Sequence, residues 1–304
     1  MSNLVIGVDV GFGNTKSAHC IFGSGVDRHA VMPTLNTKVI ENTTGIYSVG
    51  HAKDTIQESK TADETTLVLT EATIAEELKL RGITTADIHL GVGVPLTRMG
   101  AEKDKLTEYY TRNKRLSFKY EGVLYTVYLL SVSVFPQGYA GVVSYMNSFK
   151  KVSLVIDIGS WTIDILPLKE GQPELSQCKS LSLGTITCMH TINEHAREIL
   201  GNEIDDIHLK DVMIHGTCDE LRGDYLKIVR DDLYKYVDKI MGQLRALQFN
   251  LDTTQLIFIG GGATIIKHFL DKDKYPSASV IDDVFINAKG YEDLIEYKLR
   301  KGDL

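Results

Sequence analysis

Two stretches of this chain, Val5-Ile6-Gly7-Val8-Asp9-Val10-Gly11 and Ser153-Leu154-Val155-Ile156-Asp157-Ile158-Gly159, share one form: an apolar run, an aspartate, an apolar residue and a glycine. The second stands about half of the 304 residues after the first. Each run is short and rich in Val and Ile, which predicts a buried strand, and each glycine predicts a turn from which the chain returns. One Asp-x-Gly marks any strand-ending turn. Two, each opening a hairpin in its own half, predict a duplicated architecture.

The rest of the chain fills in that plan. Asn14 to Ile21 reads as the first returning strand. From about residue 22 to 66 the chain is polar and irregular, with short β signals at Arg28–Met32 and Tyr47–Val49, predicting a small inserted subdomain. Leu67 to Leu80 has helical apolar spacing, Asp87 to Val94 reads as a buried strand, and Ala101 to Tyr110 as a helix. Arg115–Tyr120 and Val123–Val134 form a hairpin across Glu121-Gly122. In the second half, Trp161 to Leu168 returns and a further hairpin closes at Glu170-Gly171. Thr185 to Leu200 is a helix ended by Gly201, and Tyr225 to Leu247 a long amphipathic one. Gln255 to Ile259 is a buried strand, and Gly290 to Lys301 a terminal helix. Strands alternating with helices predict the α/β class, with domain I over 1–137 and domain II over 138–304.

The duplicated turn has a chemical use. Glycines in a tight turn let successive backbone N–H groups face phosphate oxygens without side chains in the way. An aspartate at the end of the strand can hold Mg²⁺ through water. Two such hairpins facing each other would clamp the phosphates of a nucleotide; the plain alternative is two hairpins with solvated aspartates. Lys16, on the returning strand, could reach a phosphate as a point charge, or stand as an exposed strand lysine. Asn14 and Thr15 offer further donors.

Gly260-Gly261-Gly262, after a strand and before a helix begun by Ala263 and Thr264, lets a planar base lie against the backbone. Its alternative is a simple strand-to-helix turn. Gln137, in Phe135-Pro136-Gln137-Gly138, could orient an attacking water through its amide but cannot take its proton, which predicts slow hydrolysis. As an exposed cap after Pro136 it would do nothing of the kind. There is no G-x-x-x-x-G-K-[ST] loop and no G-x-G-x-x-G fingerprint.

Together these motifs resemble the phosphate 1, connect 1, phosphate 2 and adenosine motifs of the actin, sugar kinase and heat-shock chaperone superfamily. Within it the chain resembles the bacterial actin-like proteins of the ParM type, which segregate plasmids. Asp9-Val10-Gly11-Phe12-Gly13-Asn14-Thr15-Lys16 is similar to their phosphate 1 hairpin and Phe135 to Gly138 to their interdomain connection. Asp157-Ile158-Gly159-Ser160-Trp161-Thr162-Ile163-Asp164 is similar to phosphate 2, and Ile257 to Ala263 to the adenosine loop. Leu183-Gly184 before a helix, Asp205-Asp206-Ile207 and Asn287-Ala288-Lys289-Gly290-Tyr291 echo the same subfamily. One departure is Ser160-Trp161, where relatives often carry smaller residues; a bulky Trp161 narrows that turn.

The resemblance implies an actin-like fold of two related RNase H-like α/β domains flanking a nucleotide cleft. It implies an NTPase dependent on Mg²⁺ that hydrolyses ATP or GTP. Asp9 and Asp157 would hold Mg²⁺ and its water shell, and Gln137 would position water. Gly11, Phe12, Gly13, Asn14, Thr15 and Lys16 would surround the phosphates from one side, and Gly159, Ser160, Trp161 and Thr162 from the other. Gly184 and Thr185 join the nucleotide contacts, and Gly260, Gly261, Gly262 and Ala263 hold the base. Such proteins form polar filaments, of two or more strands, bound by an adapter on centromere-like plasmid DNA. That implies a cytoplasmic bacterial protein, encoded on a plasmid. The same fold also serves small-molecule kinases and exopolyphosphatases, which use an acidic base that Gln137 does not supply, and non-polymerising scaffolds.

Composition bounds the partners. A net charge of −7, with 33 Lys and Arg against 40 Asp and Glu, argues against gripping nucleic acid unaided. The basic stretches Arg112-Asn113-Lys114-Arg115 and Lys298-Leu299-Arg300-Lys301 are short and read as solvated ends. No apolar run reaches about 18 residues, so no membrane span is expected, and the N-terminus reads directly as a strand. Cys20, Cys178, Cys188 and Cys218 are scattered, and His190 and His195 are spaced off one helical face, so neither a disulfide framework nor a zinc site is expected.

Overall fold

A computed structural model describes residues 3–34, 38–51, 64–112 and 114–304. The chain divides into two compact units, Met1–Ser144 with Phe285–Leu304, and Tyr145–Val284.

The first unit is built on β1 (Asn3–Val10), whose centre from Ile6 to Asp9 is buried. β2 (Asn14–Lys16) returns antiparallel with Asp9 opposite Lys16, and β3 (Ile21–His29) pairs with β2 in turn. The strand expected from Asn14 to Ile21 is therefore broken. Ser17 N–H donates to the Cys20 carbonyl at 3.0 Å, and the Cys20 amide donates to Ser17 Oγ at 3.0 Å, which makes a turn between the two strands.

β4 (Val39–Asn42) and β5 (Gly45–Gly50) follow, then α1 (Glu64–Leu80), β6 (Thr85–Val94) and α2 (Met99–Thr111). β7 (Arg115–Tyr120) and β8 (Val123–Pro136) form the expected hairpin, with Glu121 and Gly122 both at positive φ, 50° and 78°. β6 lies parallel to both β1 and β8. The ladder closes on itself in the order β1-β2-β3-β5-β4-β7-β8-β6. Residues 22–66, read as an irregular insert, thus supply β3, β4 and β5 to this sheet; 35–37 and 52–63 lie outside the described residues. α1 packs Leu69, Ala72 and Leu78 against Ile6, Val8, Ile88 and Leu90 to form the core.

The second unit repeats the opening. α3 (Tyr139–Val142) closes the first unit's main segment; then β9 (Val152–Ile158) and β10 (Ile163–Lys169) pair antiparallel with Asp157 opposite Asp164. Short strands β11 (Gln172–Pro173) and β12 (Lys179–Leu181) flank β10. α4 (Thr185–Leu200) ends on Gly201 at φ 79°, as expected. α5 (Asp206–His215) and α6 (Gly223–Ala246) follow, then β13 (Gln255–Ile259), α7 (Ala263–Phe269) and β14 (Ala278–Val280). β13 runs parallel to β9 and β14 parallel to β13. A hairpin plus two parallel strands is the pattern of β1, β2, β6 and β8 over again. α6 buries Val229, Leu233, Ile240 and Leu244, among others, against Ile156, Ile192 and Phe258.

α8 (Ile286–Lys301) starts before the expected Gly290. It belongs to the first unit, which differs from the division at residue 137. Ile286, Ala288, Tyr291 and Ile295 are fully or nearly buried, and Tyr291 stacks on Phe135 with ring centroids 5.9 Å apart.

Candidate functional site

In the first unit the turn after β1 is closed by the Gly11 amide, which donates to the Asn14 carbonyl at 3.0 Å. The amides of Phe12 and Gly13 between them have no hydrogen-bond partner among the described residues. Asp9 is 4% exposed. Its Oδ1 accepts from Gln137 Nε2 at 2.6 Å, and its Oδ2 lies 3.9 Å from Lys16 Nζ. Residues 9, 16 and 137 therefore meet at one carboxylate.

Gln137 is itself fixed. Its amide donates to the Val94 carbonyl at 2.8 Å, and the next amide, of Gly138, donates to Asn287 Oδ1 at 2.9 Å. The α8 residue Asn287 thus holds the bend next to Gln137; the family likeness of Asn287 to Tyr291 gave it no role. Thr15 departs from the expected set. It is fully buried, and its hydroxyl shares a 2.9 Å hydrogen bond with Ser24 Oγ, which donates to the Gly11 carbonyl at 2.8 Å. Its side chain braces the turn from inside, with Ser24, a residue that sequence reasoning missed, and is not a donor facing out of it.

The second unit builds the same turn. The Gly159 amide donates to the Thr162 carbonyl at 2.9 Å, and the amides of Ser160 and Trp161 have no partner among the described residues. The position opposite the strand aspartate, held by Lys16 in the first unit, is Asp164, whose Oδ2 accepts from Thr162 Oγ1 at 3.3 Å. The Trp161 indole Nε1 is buried and finds no acceptor among the described residues.

Two other segments close on this turn. Gly184, before α4, donates to the Trp161 carbonyl at 3.0 Å, and Thr185 and Ile186 donate to the carbonyls of Gly159 and Ser160 at 3.1 and 2.9 Å. A Cβ on Gly184 would stand 2.4 Å from Ser160 and Trp161 backbone atoms, so only glycine allows this approach. The first amides of α4 are therefore spent on the turn. From the other direction, Gly260 sits at φ 86°, where an L side chain is strained, and a Cβ there would stand 2.8 Å from the Ile158 carbonyl oxygen and 2.2 Å from Asp157 Oδ1. Gly262 N–H donates to the Ile158 carbonyl at 2.9 Å, while Gly261 is exposed and Ala263 buried as α7 begins. Gly159 to Thr162, Gly184, Thr185 and Gly260 to Gly262 form one cluster in this unit.

Chemically, each unit offers a strand aspartate beside a turn with two open amides. A hard cation takes oxygen ligands, often through water, and Asp9 and Asp157 supply carboxylates of that kind. Open amides in a turn suit an anion.

A model described as actin-like proteins, N-terminal domain, matches residues 7–139. One described as archaeal actin homologue MreB-like, C-terminal, matches 155–272. No curated protein sequence matches the chain. Among solved structures, the actin-like protein Alp7A superposes with a TM-score of 0.80, at 13% identity over 99% of this chain and 98% of its own. Bacillus thuringiensis ParM with ATP superposes at 0.74, with 12% identity over 98% of this chain and 100% of its own. The Alp12 filament structure superposes at 0.71, with 14% identity over 98% and 100%. With both halves matched by actin-like models and the fold of ParM and Alp7A over nearly its whole length, the chain belongs to the actin-like proteins.

Proposed function

We propose that this chain binds ATP or GTP with Mg²⁺, hydrolyses it slowly, and uses the cycle to assemble and loosen a polar filament that moves plasmid DNA in the cytoplasm. The observation that carries this reading is the repeated turn, with one aspartate, one closing glycine and two open amides in each unit. Asp9 and Asp157 would hold Mg²⁺ through water, and the ion would neutralise charge on the phosphates. Lys16 and the turn amides would take phosphate oxygens, and Gly260 to Ala263 the base. Gln137 gives its N–H to Asp9 at 2.6 Å, which leaves its Oε1 to accept from and orient a water. No group in this set takes the proton of that water, hence slow turnover.

Assembly is supported by membership of the actin-like proteins and by likeness to a chain solved as a filament. The net charge of −7 leaves DNA contact to an adapter. Sedimentation and phosphate release, run with Mg²⁺ and ATP, GTP, ADP or a non-hydrolysable analogue, test the proposal. Pelleting that depends on triphosphate, with phosphate released without an added acceptor, is the expected result. Asp9→Ala and Asp157→Ala should each weaken the heat of nucleotide binding in calorimetry. If no purine triphosphate gives heat with saturating Mg²⁺ in the parent protein, the reading is wrong.

A further inference from the structure

A cluster in the second unit has no part in the nucleotide reading. His208 and Asp211 stand three apart on α5 and so share one face of that helix. α5 ends at Gly216, which takes φ 76° and folds the following residues back beside it. Cys218, 5% exposed, then lies against the same face, its Sγ 3.7 Å from His208 Nδ1 and 4.0 Å from Asp211 Oδ2. One ligand atom from each of the three falls within 4.8 Å of the others.

We propose that His208, Asp211 and Cys218 form a zinc-binding site that clips the turn after α5 to the helix. Nitrogen, oxygen and sulfur donors together suit Zn²⁺ and disfavour the oxygen-seeking Mg²⁺ and Ca²⁺. Zinc with bonds of about 2.3 Å to sulfur and about 2.0–2.1 Å to nitrogen or oxygen holds tetrahedral ligand atoms roughly 3.6 Å apart. The two sulfur separations, 3.7 and 4.0 Å, are at most a few tenths of an ångström wider, and the His208 and Asp211 ligand atoms, within 4.8 Å of each other, close on an ion by side-chain rotation. Glu220, on the exposed turn with Oε2 3.8 Å from His208 Nδ1, is placed to become the fourth ligand.

The scaffold is already rigid, as a metal site requires. His268 Nε2 donates to the Ile214 carbonyl at 2.8 Å, and Arg230 donates to the Gly216 carbonyl, so the turn is pinned from α6 and α7 before any ion binds. Binding would release the Cys218 thiol proton to solvent, since the thiolate is the ligand.

The test uses the full chain, stripped with a chelator and titrated with Co²⁺ and then Zn²⁺. One equivalent of Co²⁺ should produce a thiolate-to-cobalt charge-transfer band, and one equivalent of Zn²⁺ should remove it. Mg²⁺ and nucleotide sites made of oxygen cannot give that band. Cys218→Ser should abolish it, while the combined Cys20→Ser, Cys178→Ser and Cys188→Ser variant keeps it. His208→Gln and Asp211→Asn should each weaken Zn²⁺ binding by at least the roughly 10- to 100-fold that loss of an outer-sphere partner costs. These two change groups that are not fully buried and serve if Cys218→Ser does not fold. The proposal is overturned if the parent chain shows no band, if the band survives Cys218→Ser, or if both His208→Gln and Asp211→Asn bind zinc like the parent.

Discussion

A carboxylate as withdrawn from water as Asp9 needs its charge answered from within the protein. Gln137 and Lys16 do so at 2.6 and 3.9 Å, from opposite ends of the first unit's main segment. The glutamine therefore braces Asp9 as well as serving as the proposed guide for water, and one substitution separates the two. Gln137→Ala should cost about 1–3 kcal/mol of stability, because it leaves a buried acceptor without its donor. It should also slow phosphate release at least about tenfold, equivalent to about 1.4 kcal/mol of barrier, while nucleotide affinity changes less than about threefold. Urea unfolding reads the first effect, and single-turnover phosphate release with calorimetry reads the others. Stability lost with turnover intact would leave Gln137 a brace for Asp9 and remove it from the mechanism.

At the scale of elements, α8 decides much of the first unit. Gly290 lies in the interior of this helix, where alanine normally gains about 1 kcal/mol in propensity. Here a Cβ would stand 2.2 Å from the Ala140 carbonyl oxygen, backbone that cannot swing aside. Overpacking of this kind costs about 1–3 kcal/mol, so Gly290→Ala should lower the melting temperature, and a rise would show that α3 and α8 can separate freely. Two residues on, Glu292 accepts from the Gly7 amide at 2.9 Å. Burial pushes its carboxyl up to about 7; Glu77 adds to the rise, while the Gly7 N–H, His19 and Arg81 oppose it. Between about 4.5 and about 7 the unfolded chain has lost a proton that the native chain retains. Stability therefore falls as pH rises through that window and levels off above it. Glu292→Gln keeps an oxygen for Gly7 and should stabilise the protein at pH 8 by on the order of 1–3 kcal/mol, with little effect at pH 4.5. Glu71, likewise raised to about 7 by burial against the Asn42 hydrogen bond, leaves a residual slope in the same window. Urea midpoints at pH 4.5, 6 and 8 check the sign. Elements whose signals are local, such as the helix closed by Gly201 and the strand Gln255–Ile259, were legible in the sequence to the residue. The two Asp-x-Gly turns were legible too, each being made within six residues, though the second runs on through Trp161 and Thr162 so that its returning strand begins at Ile163 and not at Trp161. The β signal at Tyr47–Val49 falls inside β5, whereas β4 carried none and β3 only the Arg28–His29 end of its signal, because Gly23-Ser24-Gly25 and Asp27-Arg28-His29 lack the apolar alternation of a strand and are held by pairing with β5. The same limit hid the contact of Gln137 with Asp9 and the inward turn of Thr15, which depend on distant chain.

The whole molecule repeats one plan, a hairpin carrying an aspartate followed by two parallel strands, but its two units are not equally self-sufficient. The second is one continuous segment, Tyr145–Val284, a length at which domains ordinarily fold alone. The first is split, because α8 comes from the far end of the chain and covers β1. Its Gly7 approaches so closely that a Cβ there would meet the Ala288 carbonyl oxygen at 2.0 Å. Removing α8 would expose what Ile286, Ala288, Tyr291 and Ile295 bury. Three of these are large, and at about 1.5–3 kcal/mol for each such side chain the loss reaches roughly 5–9 kcal/mol, comparable to the 5–15 kcal/mol that holds a typical domain together. A chain ending at residue 284 should therefore keep a folded, cooperatively melting second unit while its first unit loses protection. The isolated segment 145–284 should give the same melting transition. Hydrogen exchange read by mass spectrometry locates the effect. Fast exchange across β1 and β6 with slow exchange across β9 and β13 is the expected pattern. Protection of β1 in the shortened chain would mean that the first unit folds without its terminal helix.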